Sequence, residues 1–179
     1  MSTESLTGTF SASARTDWFI DPATGEATAS APLRLVPVTG DFQLRAHVRV
    51  PLAATYDAGT LFVHGGPSTW AKLALERSPE GTDMIVTVVT RGVSDDANGV
   101  VVPTPGETWL RISRTGEVYA FHFSADGDRW SLVRLFTLGP VDGHEVGVGV
   151  QSPTGDGLTA TFSGVSLVHE TLADPRDGS

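Results

Sequence analysis

The chain has 179 residues, and 12 basic against 21 acidic side chains give it a net charge of -9. That length suits one domain with a sizeable core, and 40% apolar against only 18% charged residues excludes a disordered acidic tail. Twelve dispersed cations do not make the basic stripe that nucleic-acid phosphates require. The absence of cysteine excludes a disulfide scaffold, a thiol nucleophile and Cys-ligated metal.

The chain starts Met1-Ser2-Thr3-Glu4-Ser5-Leu6, with no basic segment and no apolar run behind it, so no signal peptide is expected. No stretch approaches the roughly 20 apolar residues of a membrane helix. Together with the lack of cysteine, this points to a cytoplasmic address and no membrane partner.

The recurrent pattern has period two, the strand period. Between Asp41 and Pro51, Phe42, Leu44, Ala46, Val48 and Val50 alternate with Gln43, Arg45, His47 and Arg49. One face is therefore apolar and the other polar. Thr69 to Arg77 sets Ala71, Leu73 and Leu75 against Trp70, Lys72, Ala74 and Glu76. Further strand-like runs are Leu33–Pro37, Gly59–Gly65, Asp83–Arg91, Thr108–Arg114, Val118–Ser124, Trp130–Leu138, Glu145–Gln151 and Leu158–His169. Turn residues separate them: Gly65-Gly66-Pro67, Pro79-Glu80-Gly81, Thr115-Gly116, Asp126-Gly127, Gly139-Pro140 with Asp142-Gly143, and Pro153 to Gly157. Ten or more short strands and no long amphipathic helix predict an all-β sandwich of jelly-roll type or a barrel, one domain over residues 1–173. The segment 174–179 reads as a flexible polar tail.

Hairpin pairing places Glu76 near Asp57 or Ala58 and Lys72 near Leu61. It places Trp109 near His122 and Arg111 near Ala120. The outward positions then carry Trp70, Lys72, Glu76, Trp109 and Arg111. Aromatic rings that stack on a sugar face, with charged groups that bond its hydroxyls, suit a carbohydrate or small polar metabolite. The plainer alternative is a pair of covered tryptophans and an ordinary Lys72–Glu76 surface ion pair. Asp57 with Glu76 also has the residue types of a glycosidase pair, though an Asp before a strand more often serves its own turn. Ser124-Ala125-Asp126-Gly127 followed by Trp130 reads as a self-bonded hairpin turn. The oxygen-rich run Ser94 to Asn98 reads as an acidic surface loop, lacking the spacing of a calcium hand. The five histidines form no metal-binding motif, and no nucleotide or serine-hydrolase motif occurs, so no cofactor is implied.

The motifs Tyr56-Asp57-Ala58-Gly59, Trp70 to Glu76, Val88-Val89-Thr90 with Ser94-Asp95, Trp109 to Arg114, Ser124 to Gly127 with Trp130, and Ser152-Pro153 occur in that order. The series, from about Trp18 to Val168, resembles the bacterial and fungal regulation-of-enolase-like family of unknown function. The resemblance implies a two-sheet antiparallel jelly-roll sandwich of concanavalin A type, typically intracellular, with no established reaction. It places the family's polar positions on Asp57, Lys72, Glu76, Ser94, Asp95, Trp109, Arg111 and Arg114. The chain departs from the pattern in lacking a Gln between Asp57 and Ala58, and in having Asp96 where an aromatic commonly follows Ser-Asp. The expected function is a non-catalytic binding or regulatory domain with a ligand site at Asp57, Lys72, Glu76, Trp109 and Arg111. The alternatives are a protein-interaction module that regulates a metabolic enzyme, and a glycoside hydrolase or lyase.

Overall fold

The computed structural model describes residues 3–139 and 143–179. The expected turn at Pro140 to Asp142 lies outside the described residues. After a short 3-10 turn at Thr3–Leu6, the described chain is built of strands: β1 (Gly8–Ser13), β2 (Trp18–Ile20), β3 (Ala27–Ala29), β4 (Leu33–Val38), β5 (Phe42–Arg49), β6 (Ala58–His64), β7 (Thr69–Arg77), β8 (Asp83–Arg91), β9 (Val93–Val101), β10 (Glu107–Thr115), β11 (Val118–Ser124), β12 (Ser131–Thr137), β13 (His144–Gln151) and β14 (Gly157–Val168). Among the described residues no helix is long and apolar enough to cross a membrane.

One six-stranded sheet has the order β1-β14-β5-β10-β11-β12, and the other β4-β13-β6-β7-β8-β9. Every ladder is antiparallel. The apolar phase of each alternating run faces the partner sheet. Phe42, Leu44, Ala46 and Val48 of β5 meet Leu110 and Ile112 of β10 in the same core as Leu73 and Leu75 of β7. Burial at ~25 cal/mol per Å² of apolar surface is the driving force for this face-to-face closure. The result is a two-sheet antiparallel jelly-roll sandwich.

A glycine sets how closely the sheets approach. Gly59 of β6 points into the core, and a Cβ there would sit 2.7 Å from Val48 Cγ1 and 3.4 Å from the Ala160 Cβ of the opposite sheet. At one open side of the sandwich, the edge strands β9 and β12 are tied by Arg134, which pairs with Asp95 at 2.8 Å. Such ties protect exposed strand edges.

Three details depart from the sequence reading. The run Ser94 to Asn98 is part of strand β9, because its backbone pairs with β8. The β10–β11 turn closes at Thr115 opposite Val118, so Trp109 lies opposite Ser124 and Arg111 opposite His122. That shift is even, so each residue keeps its face. In the β6–β7 hairpin Glu76 lies opposite Ala58, as expected, while Lys72 lies opposite Phe62.

The close approach at Gly59 generates a test. Gly59→Ala should overpack the sheet interface and lower stability by about 1–3 kcal/mol in urea unfolding. Parent-like stability would show that the sheets do not meet there as described.

Candidate functional site

Alternation along β7 places Trp70, Lys72, Ala74 and Glu76 on the side away from the core. That side is not open to solvent. The β2–β3 hairpin lies over it, and Trp70 is 1% exposed, stacked on Phe62 at 5.3 Å and meeting Trp18 edge-on at 5.8 Å. Trp70 is therefore a packing residue of a second apolar cluster with Ile20, Phe62 and Val88, not a ligand platform.

Lys72 holds the roof down. It is 3% exposed, and its Nζ donates to Asp17 Oδ1 at 3.0 Å, to the Trp18 carbonyl at 2.8 Å and to Gln151 Oε1 at 2.8 Å. All three ammonium hydrogens are used, which makes burial of the charge tolerable. From β9, Ser94 Oγ accepts the Ile20 amide at 2.9 Å and bonds Thr90. The roof is thus tied to two different strands of the sheet.

Beside the hairpin the roof leaves a cavity of about 260 Å³, lined by Asp17, Phe19, Tyr56, Lys72, Glu76, Val88, Asp96 and Gln151. The small side chain of Ala74 lies between Lys72 and Glu76 on this face, and Val88 and Asp96 continue the Lys72 row across the sheet. Tyr56 stands at the cavity with a positive φ of 69° and its ring exposed. Strained backbone of this kind recurs at functional sites. Its amide donates to the Arg77 carbonyl and its carbonyl accepts from Gln151 Nε2, which fixes the bend.

Glu76 is the cavity-lining carboxyl that receives no hydrogen bond from the described residues, and on the same face Trp70 Nε1 is buried without an acceptor. Glu76 is 8% exposed. Burial pushes its pKa up to about 8, against the opposing pull of the Lys72 charge, with Asp96 and Asp17 adding to the rise. Near neutral pH it is mostly a neutral acid, with one hydroxyl to donate and an oxygen to accept. Partial desolvation also raises Asp96 above the usual carboxylate range.

Of the five sequence-derived site residues, only Lys72 and Glu76 line this cavity. Asp57 is buried behind it: Oδ1 accepts from Ser152 Oγ at 2.7 Å, and Oδ2 accepts the Ala54 amide at 2.9 Å. It shapes the loop before β6 and does not converge with Glu76 as a catalytic partner. Trp109 and Arg111 are on β10, in the other sheet, so the expected single groove of Lys72, Glu76, Trp109 and Arg111 does not exist. Trp109 is pressed between the turn after β11 and the irregular stretch of β14, where a Cβ on Gly127 or Gly164 would come within 2.8 or 2.6 Å of its ring. It supports the self-bonded turn, in which Asp126 Oδ1 accepts the amides of Asp128 and Arg129 at 2.9 Å. Those bonds hold the Asp126 carboxyl down at about 2.

The sequence reading missed Asp17, Phe19, Tyr56, Asp96 and Gln151. Tyr56 and Asp96 stood within noted motifs. Asp17 and Phe19 belong to a short segment around a three-residue strand that shows no period.

The Glu76 environment fixes a pH dependence. The folded carboxyl keeps its proton to about pH 8, whereas the unfolded chain releases it near the ordinary value of 4.5. Stability therefore falls as pH rises through that window and levels off above it. Glu76→Gln should match the parent near pH 4 and exceed it at pH 9 by roughly 4–5 kcal/mol in urea unfolding. An unchanged slope would mean that Glu76 is ionised throughout.

Residues 2–169 match the family described as "Protein of unknown function (DUF1349)". Regulation of enolase protein 1 of Saccharomyces cerevisiae is 29% identical over 153 residues, spanning 86% of this chain and 77% of the yeast protein. A solved structure of a functionally unknown protein from Saccharomyces cerevisiae superposes with a TM-score of 0.85 at 27% identity, covering 92% of this chain and 88% of the other. The GH43 protein BlXynB of Bacillus licheniformis is similar at a TM-score of 0.67 and 13% identity, over 90% of this chain but 32% of its own length. That last likeness shows the fold alone, a concanavalin A-like sandwich. The chain belongs to the DUF1349 family of proteins of unknown function.

Proposed function

We propose that this protein is a non-catalytic binding domain whose cavity beneath the β2–β3 hairpin takes a small neutral polyhydroxylated ligand, such as a monosaccharide. The observation that carries this reading is the buried Glu76 carboxyl, which lines the cavity and lacks a hydrogen-bond partner among the described residues. A buried polar group without a partner costs about 1–3 kcal/mol, and a ligand hydroxyl offers it both a donor and an acceptor. Phe19 and Val88 give the cavity apolar walls, and Tyr56 supplies an exposed ring for stacking on a sugar face. Lys72 takes no direct part, since its three hydrogens are already bonded; it holds the roof. A neutral ligand fits better than an anion, because Asp17, Asp96 and Glu76 all line the space.

A second reading, a protein-interaction module that regulates a metabolic enzyme, draws on the name of the yeast relative, Regulation of enolase protein 1. Sedimentation of this protein with a purified enolase separates the two readings, because only the second expects co-sedimentation.

Calorimetry against a panel of neutral monosaccharides and polyols tests the first reading. A binder should emerge from the panel, and Glu76→Ala should weaken it by about 1–3 kcal/mol. Tyr56→Ala should weaken it as well, whereas Trp109→Ala, on the opposite sheet, should leave it unchanged. No binding across the panel, or equal affinity in Glu76→Ala, would contradict the proposal.

A further inference from the structure

The outer face of the first sheet carries a second cluster that the cavity under the hairpin does not use. Arg45 of β5 and Arg111 of β10 are directly opposed in the ladder, and Arg111 is opposed in turn by His122 of β11. All lie on the face away from the core, because Leu44, Ala46, Leu110, Ile112 and Phe121 take the inner phase. Like charges facing each other across a ladder repel. Among the described residues, however, no carboxylate oxygen lies within 4.0 Å of either guanidinium. In a chain with 21 acidic and 12 basic side chains, two adjacent cations without an ion-pair partner are the less expected arrangement.

Arg111 is held rigidly. It is 5% exposed, its guanidinium lies 4.4 Å over the Trp130 ring, and Nη2 donates to the Gly178 carbonyl at 2.8 Å. The segment 174–179 is placed here, with the Pro175 carbonyl accepting from His122 Nε2 at 2.8 Å. The Nε of Arg111 is nevertheless buried with no acceptor. Burial and the neighbouring Arg45 charge lower the Arg111 pKa to about 10, and burial first, then the Arg111 charge, lowers that of His122 to about 4. His122 is thus neutral near pH 7, which leaves the two arginines as the fixed charges. Beside them is a groove of about 250 Å³, lined by Arg45 and Arg111 together with Gln43, Ser166, Val168 and Glu170. Gln43 and Ser166 add neutral polar groups. Glu170 lines the groove as well but reaches neither arginine as an ion pair.

We propose that this groove is an oxyanion-binding site in which Arg45 and Arg111 hold the carboxylate or phosphate group of a small ligand. A guanidinium fixed in its plane presents a fork of N–H donors that matches two oxygens of such a group, and a bound anion removes the repulsion between the paired cations. The site is separate from the cavity on the other sheet, so it stands or falls independently of the neutral-ligand reading.

Titrating the full chain with inorganic phosphate and, separately, with acetate tests the site, using sodium chloride at matched ionic strength as the reference. The arginine Nε–H signals in 15N-edited NMR spectra report on it. One of the two anions should shift the Arg111 Nε–H signal with saturation, and which one does so tells phosphate from carboxylate. Arg45→Gln, at an exposed position, should weaken that binding about tenfold. Arg49→Gln removes the same charge from the same strand outside the groove and should leave affinity within about twofold. Two results would overturn the proposal: neither anion acting beyond chloride, or the two variants weakening binding equally.

Discussion

The buried ammonium of Lys72 is the constraint around which the rest of the second sheet is organised. A cation at 3% exposure must be met by acceptors, and here they come from two segments remote in sequence, Asp17 and Trp18 on one side and Gln151 on the other. Meeting them brings the β2–β3 hairpin over the outer face of β6, β7 and β8. Once the hairpin is there, Trp18 can pack against both Phe62 and Trp70, and the Ile20 amide can find Ser94. The cavity is what remains of that outer face beside the hairpin, and its character follows from what the roof excludes. Glu76 is largely buried, so its carboxyl is easier to keep protonated than to ionise.

One face of a sheet can therefore be polar in sequence and buried in space. Along β7 the phase opposite Leu73 and Leu75 carries Trp70, Lys72, Ala74 and Glu76, a mixture that in an uncovered sheet would face water. Covering it makes each unanswered polar group costly. Lys72 is answered by the protein three times over, while Glu76 is answered by none of the described residues. The contrast is between two neighbours on one strand, one satisfied by the fold and one that the described residues leave without a hydrogen bond. On the first sheet the same logic separates Trp109, closed in against Gly127 and Gly164, from the Arg45–Arg111 pair, whose charges the protein does not neutralise.

The strands that build the core were legible because period two over eight or nine residues fits a strand with one buried face and does not fit a helix, as in Phe42 to Arg49 or Thr69 to Arg77. Strand β9 was not, because Ser94, Asp95, Asp96 and Asn98 have the composition of a loop and owe their extended form to pairing with β8. The hairpin was not legible either. Strands of three residues have no period, and what holds them is long-range: Lys72 is 55 residues from Asp17 and Ser94 is 74 from Ile20. Alternation also told which residues point away from the core but not which sheet they belong to. Lys72 and Glu76 were therefore grouped with Trp109 and Arg111, which lie on the opposite outer surface. Asp57 looked chemical because a carboxylate beside a strand can be, yet its oxygens are taken by Ser152 and the loop amides.

The functional reading rests on Glu76 facing the roofed cavity as a neutral acid. Following the Glu76 side-chain carboxyl carbon by 13C NMR across pH 3 to 10, with assignment by comparison to Glu76→Gln, measures this directly. The structure predicts a single titration of this carboxyl with its midpoint near 8. A midpoint at the ordinary value near 4.5 would show that the carboxyl is hydrated and open, and the cavity would then have no unanswered group for a ligand to meet.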